Sequence, residues 1–198
     1  MRNDDITLQL YLIRHAESMG NIDTDEDFDK VNPHLSAHGE KQVTALGHRF
    51  ENVWLDAVYS SPLLRARKTA QAIGGNIIID NRLLERDTAI AGGEFVNFNE
   101  SDEDSIERAK SFINDLKEKH KNGECVAVVS HGMYIQCLIK AALEIPLEIP
   151  LRFSVYNTSV TKINFRHGVD AKLAFQNDIS HLLHHGNPLC GDTSLGIY

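Results

Sequence analysis

Two histidines in this chain each follow a short apolar run: Leu10-Tyr11-Leu12-Ile13-Arg14-His15-Ala16-Glu17 near the start, and Val126-Ala127-Val128-Val129-Ser130-His131-Gly132 far downstream. Each run reads as a buried strand that ends on an imidazole. An unprotonated ring nitrogen is a nucleophile, and Arg14 places a permanent positive charge beside the first ring. That pairing suits an anionic substrate and suggests phosphoryl chemistry. In open α/β sheets ligands bind outside the carboxyl ends of the strands, so two strand ends distant in sequence can share one pocket.

The rest of the chain must build the frame for such a pocket. With 198 residues and 42% hydrophobic content it can bury one well-formed core, and a single domain over residues 1–198 is expected. The formal charge of −8 and a pI near 5.6 argue against a nucleic-acid partner, because a phosphate backbone would be repelled. Any cationic pocket must therefore be local. No apolar stretch approaches the ~18 residues that a membrane span needs. The polar start Met1-Arg2-Asn3-Asp4-Asp5 lacks the apolar centre of a secretion signal. These features predict a cytoplasmic protein without a membrane partner. Three cysteines, Cys125, Cys137 and Cys190, show no CxxC spacing and read as reduced structural thiols.

Along the chain, residues 8–13 predict a first strand, and the acidic stretch from Asp23 to Asp29 a solvated loop. That stretch is not a calcium loop, because Phe28 stands where the turn glycine belongs and His34 where a bidentate Glu is required. Ser36 is a candidate N-cap for a helix over about 38–51, with Val43, Leu46 and Phe50 at helical spacing. Ala57-Val58-Tyr59-Ser60 predicts a second strand. Ser61-Pro62 then offers a capping hydroxyl before a proline at the first helical position, with the helix ending at Gly74-Gly75. Ile77-Ile78-Ile79 reads as a third strand, and residues 81–102 as a long loop over the strand ends, where substrate selection usually resides.

Asp104 to Lys119 carries Ile106, Ala109, Phe112, Ile113 and Leu116 on one face and predicts an amphipathic helix. A strand over 125–130 leads to His131 and a helix to about Leu143. Ser159 to Phe165 and Val169 to Phe175 form a candidate hairpin across Arg166-His167-Gly168. Strands alternating with helices imply an α/β fold in three layers, a mostly parallel central sheet with helices on both faces.

The segment Arg14-His15-Ala16-Glu17-Ser18-Met19-Gly20-Asn21 resembles the RHG signature of the histidine phosphatase superfamily, also called the phosphoglycerate mutase-like family. Ala16 departs from the usual glycine, a small-for-small change. Further matches follow in order: Leu35-Ser36 with Gly39 and Gln42, Ser61-Pro62-Leu63-Leu64-Arg65-Ala66 with Thr69-Ala70, Leu83-Leu84-Glu85, Ser130-His131-Gly132, and Asn177 to Leu182. The resemblance covers nearly the whole chain and implies a phosphoglycerate mutase-like fold.

What it implies for the site is specific. His15 would attack phosphorus and form a phosphohistidine. Arg14, Arg65 and His131 would bind the phosphoryl oxygens, aided by the backbone N–H of Gly132 and by Asn21. Glu85 matches the family's proton donor and needs a raised pKa for that role; Asp87 and Glu94 lie in the same loop and compete with it. Arg67 and Lys68 read as solvated helix charges. The spacing of His181, His184 and His185 invites a metal reading, but no cysteine or carboxylate framework accompanies it, and a solvated tail is expected. The resemblance implies metal-independent chemistry and no cofactor.

Within the family, a mutase and a phosphatase share the phosphohistidine step and differ in whether a second alcohol or water intercepts it. Phosphoglycerate mutases carry a longer insertion after the glutamate and an arginine pair for the substrate carboxylate. Residues 86–102 hold a single arginine among several acids. The reading is a phosphatase for a small phosphomonoester, a phosphoprotein being a further possible substrate. A cofactor-dependent mutase and a non-catalytic phospho-ligand module are the alternatives. An intact set of nucleophile and proton donor argues against mere binding.

Overall fold

The computed structural model describes residues 5–22, 24–91, 93–150 and 153–183. A six-stranded sheet forms its centre. Strand β1 (Ile6–Arg14) is followed by helix α1 (Ala37–Phe50), β2 (Ala57–Ser60), α2 (Leu64–Ile73), β3 (Ile77–Ile79) and a small hairpin, β4 (Thr88–Ala91) and β5 (Glu94–Asn97). Helix α3 (Asp102–Lys119), β6 (Glu124–Ser130), α4 (Gly132–Ala142), β7 (Val160–Arg166) and β8 (Val169–Asp178) complete the order. The strands lie side by side as β3-β2-β6-β1-β7-β8. The first four are parallel, β7 runs against them, and β8, antiparallel to β7, returns to their direction. Among the described residues no helix is long and apolar enough to cross a membrane.

The alternation of side chains along each strand divides the core in two. Leu8, Leu10, Leu12, Val126 and Val128 face α3 and α4, whereas Ile13, Val58, Ala127 and Val129 face α1 and α2. Both sheet faces are therefore covered, which is why the central strands are apolar at nearly every position. Deep burial fixes the register: Arg14 is level with Ser130, and Ile13 with both Val129 and Val160. Consequently Arg14-His15, Ser60-Ser61 and Ser130-His131 leave the sheet along one edge.

Helix α1 starts where its sequence predicts, with the Ser36 hydroxyl accepting from the Gly39 N–H at 2.9 Å. Gly39 admits no side chain, because a Cβ there would lie 2.0 Å from the Glu17 carbonyl oxygen. Helix α2 departs from expectation. It begins at Leu64, two residues after Pro62, and Ser61 does not cap it. The Ser61 hydroxyl is instead 2.8 Å from His131 Nε2, and the first α2 N–H, on Leu64, donates to Asn32 Oδ1 at 2.7 Å. The expected loop over 81–102 also needs correction: it contains a short 3-10 turn at Asn81–Leu83 and the β4–β5 hairpin, whose two-residue turn includes Gly93 at a φ of 88°. Gly93 adopts that positive φ without the steric cost a side chain would bring.

Candidate active site

His15 is the first residue beyond β1, and its backbone is tied on both sides. Its N–H donates to the Ser130 carbonyl at 2.9 Å, and its own carbonyl accepts from Asn157 Nδ2 at 2.9 Å. The ring Nδ1 lies 2.7 Å from the Ala16 carbonyl oxygen. A carbonyl can only accept, so Nδ1 carries the proton and Nε2 presents its lone pair. Arg65 Nε donates to that Nε2 at 3.2 Å. Burial first, then Arg65 and Arg14, hold the His15 pKa well below the usual imidazole range, against the opposing pull of the Ala16 carbonyl. The ring is thus kept neutral.

The residues after His15 are fixed with equal care. Ala16 N–H donates to Thr69 Oγ1 at 2.9 Å, and Glu17 N–H to Gln42 Oε1 at 2.8 Å. The buried Glu17 carboxylate accepts from the Ser36 hydroxyl at 2.5 Å and faces His38 Nδ1 at 3.2 Å. Ala16 itself is outside the left-handed region, so the family's glycine is not required here for its φ.

Arg14, Arg65, His131 and Glu85 arrive from four different parts of the chain. The Arg14 guanidinium is buried and its Nη1 donates to the Val155 carbonyl at 2.6 Å. Arg65 reaches the site from the first turn of α2, and burial together with Arg14 lowers its pKa to about 10, Glu85 pulling the other way. His131 is the N-cap position of α4, completely buried, with its ring centroid 5.0 Å from that of His15. Burial, reinforced by Arg65, His15, Arg14 and Arg108, depresses its pKa well below the usual value. Gly132 opens α4 directly against Arg14, where an added Cβ would lie 3.4 Å from Nε.

Glu85 sits at the same helix end. Its carboxylate accepts from the Tyr134 N–H at 3.0 Å and the Arg86 N–H at 2.9 Å. Burial raises its pKa, although these N–H groups and Arg65 work against the shift. Its two competitors are placed elsewhere: Asp87 accepts from the Glu100 N–H at 3.0 Å, and Glu94 is exposed on β5. Neither lines the pocket.

A cavity of about 1130 Å³ opens at this edge, lined by Arg14, His15, Asn21, Arg65, Glu85 and Gly132 among others. His131 lies behind that lining. Asn21 closes a 3-10 turn at Met19–Asn21, its Oδ1 accepting from the Ser18 N–H and hydroxyl at 3.0 Å each. Arg67 and Lys68 are exposed on α2, as expected. Cys137 lines the cavity as a buried thiol, its pKa pushed up to about 11 by burial. Cys125 is partly exposed on β6, and Cys190 lies outside the described residues.

Several residues that build the site had no structural partner assigned from sequence, although Gln42, Ser61 and Thr69 lie in the segments that carry the family resemblance. Thr69, Gln42, Asn157 and Ser61 touch the backbone or side chains of the two histidine segments. Arg108 of α3 is another. It donates to the carbonyls of Arg82 at 2.8 Å and Leu84 at 2.9 Å while paired with Glu100, which steadies the segment leading to Glu85. Their polar types at buried positions were the available signal. The tail reading also changes: His181 is partly buried and bonded to Arg49 and Thr158, so it is no solvated residue. His184 and His185 lie outside the described residues.

Fold and site together define an α/β protein with an arginine-flanked histidine pocket at the carboxyl edge of its parallel strands. Comparison with known proteins is consistent with that class. The family model for the histidine phosphatase superfamily (branch 1) matches residues 10–95 and 90–178, and the chain belongs to this family of enzymes. A curated relative, the probable phosphoglycerate mutase GpmB of Klebsiella pneumoniae, is 25% identical, the match covering 80% of this chain and 86% of the relative. A mutant phosphoserine phosphatase from Entamoeba histolytica, solved with phosphoserine, superposes with a TM-score of 0.71 at 24% identity over 88% of this chain and 99% of that one. YhfR of Bacillus stearothermophilus gives a TM-score of 0.69 at 28% identity over 88% and 98%. The fold is phosphoglycerate mutase-like, as the sequence resemblance implies.

Proposed function

We propose that the protein is a metal-independent phosphatase that hydrolyses a small phosphomonoester through a phosphohistidine on His15. The observation that carries this reading is the fixed tautomer of His15: Nδ1 is spent on the Ala16 carbonyl, leaving Nε2 as a neutral nucleophile beside Arg65. Nε2 forms the new bond to phosphorus as the ester P–O bond breaks. Arg14, Arg65 and His131 hold the equatorial oxygens, and the Gly132 N–H at the start of α4 adds a dipolar donor. Asn21 on the pocket wall is a further phosphate contact. Glu85, whose pKa burial raises, gives a proton to the departing alkoxide. It then takes a proton from water as that water displaces the phosphoryl group from Nε2, which restores both residues and releases inorganic phosphate.

Water rather than a second alcohol is favoured by the surroundings of Arg86. That arginine, the one cation in residues 86–102, is bonded to Asp102 at 2.5 Å and to Ser105 at 3.1 Å, so it is occupied rather than waiting for a substrate carboxylate. The test is direct. An aryl phosphate in excess chelator is expected to release inorganic phosphate, and alkali-quenched enzyme to carry a phosphoryl group on His15. His15→Ala should lose both signals; retained turnover in that variant would refute the assignment. Transfer between phosphoglycerates without release of phosphate would identify a mutase instead.

A further inference from the structure

The carboxyl end of β1 rests on a buried turn, Asn157-Thr158-Ser159. Thr158 has a φ of 56°, a left-handed conformation strongly disfavoured for a β-branched residue. Strain of this kind persists only where the surroundings over-determine it. Here the Thr158 N–H donates to the Arg14 carbonyl at 3.0 Å, and Asn157 Nδ2 to the His15 carbonyl at 2.9 Å. The turn therefore grips the two residues that carry the first cation and the nucleophile.

One side chain holds the turn from behind. His181 Nδ1 lies 3.2 Å from Arg49 Nη1, and its Nε2 lies 3.1 Å from Thr158 Oγ1. A guanidinium only donates, so Nδ1 is bare and Nε2 carries the proton. That proton is donated to Thr158 Oγ1, whose own proton goes to the Asn157 carbonyl at 2.8 Å. Every donor and acceptor in the chain is then assigned one role. Arg49 is itself anchored by Asp178, at 2.7 Å to Oδ2 and 3.2 Å to the carbonyl. Burial and Arg49, opposed by Asp178, bring the His181 pKa down to about 4, so the neutral ring persists at ordinary pH.

We propose that His181 is a positioning residue for His15: acting through Thr158, it locks the turn that holds the Arg14 and His15 carbonyls and so aims the nucleophilic ring. The proposal rests on the reading of His15 as the nucleophile. Small errors of aim are costly, since a misplacement of about 1 Å can lower a rate on the order of 10²-fold.

Four variants test it. His181→Phe fills the space without either hydrogen bond, His181→Gln keeps an acceptor and a donor, Thr158→Val removes the hydroxyl, and the double variant His181→Phe/Thr158→Val removes both ends of one contact. His181→Phe and Thr158→Val are each expected to lower kcat about 10- to 100-fold, with KM and inorganic phosphate affinity within about twofold. His181→Gln should recover most of the loss, and the double variant should be no slower than the worse single one. Activity is expressed per phosphate-binding site, so a variant that is merely less folded shows no change. Additive losses, or full kcat per site in both single variants, would overturn the proposal.

A second readout needs no turnover. The His15 Nδ1–H resonance, protected in the wild type by the Ala16 carbonyl, is expected to exchange rapidly in His181→Phe and to stay protected in His181→Gln. If that pattern appears while the wild type hydrolyses no phosphomonoester, the positioning role stands and the phosphatase reading falls. Should His181→Phe not fold, Thr158→Val carries the same comparison alone.

Discussion

At the scale of single residues, opposite pKa displacements separate the roles. The same burial that lowers the pKa of His15 and His131 raises that of Glu85, because desolvation penalises whichever form bears charge. On the proposed reading, one environment thus favours a neutral nucleophile and a protonated acid at once. Glu85→Gln is expected to slow an alkyl phosphate on the order of 10²–10⁴-fold and an aryl phosphate much less, since only the poorer leaving group needs the proton. Comparing kcat for the two ester types checks this. Much of the residue-level picture was legible in the sequence: Arg14, His15, Arg65, Glu85 and Gly132 line one cavity, with His131 directly behind. Thr69, Gln42 and Asn157 were not legible as partners of the His15 segment. Each acts across 25 to 142 positions of chain, and no local pattern encodes such a contact.

Among the elements, strands and long helices follow from periodicity, because apolar faces of period two and 3.6 must be buried. Helix ends are less secure. Ser36 and Ser101 cap α1 and α3 by their own hydroxyls, whereas α2 borrows its cap from Asn32, more than thirty residues earlier. Ser61 failed as a cap because the contact with His131 claims its hydroxyl. Asn32 joins the wall segment bearing Val31 and Pro33 to the helix bearing Arg65. Asn32→Ala is expected to cost about 0.5–2 kcal/mol of stability, measured by chemical denaturation. An unchanged midpoint would show that water replaces the cap. The β4–β5 hairpin escaped prediction because its short strands are partly exposed or exposed and lack the continuous apolar run that marked β2 and β3.

At the scale of the whole molecule, three imidazoles among the described residues are held below their ordinary pKa: His15, His131 and His181. The unfolded chain binds protons at these positions from about pH 6.5 downward, while the folded chain resists. Stability must therefore fall as pH drops below about 6.5, and it recovers as pH rises through that value. Glu85 opposes this with one group against three, since its raised pKa makes the folded state the better proton binder above the usual carboxylate range. A thermal melt series from pH 7.5 to 5 on ligand-free protein is expected to show a steadily decreasing Tm. A flat series would mean that the rings are not desolvated as described.

The position of β1 carries one more consequence. It is first in sequence, yet it pairs with β6 and β7, whose residues begin more than a hundred positions later. During ribosomal synthesis the segment bearing the future nucleophile emerges early and waits unpaired until most of its neighbours have been made. A nascent chain stopped before β7 has its histidine but not the turn that seats it. On the proposed reading, catalysis thus waits for the strands that complete the sheet, because the topology itself delays the seating of His15.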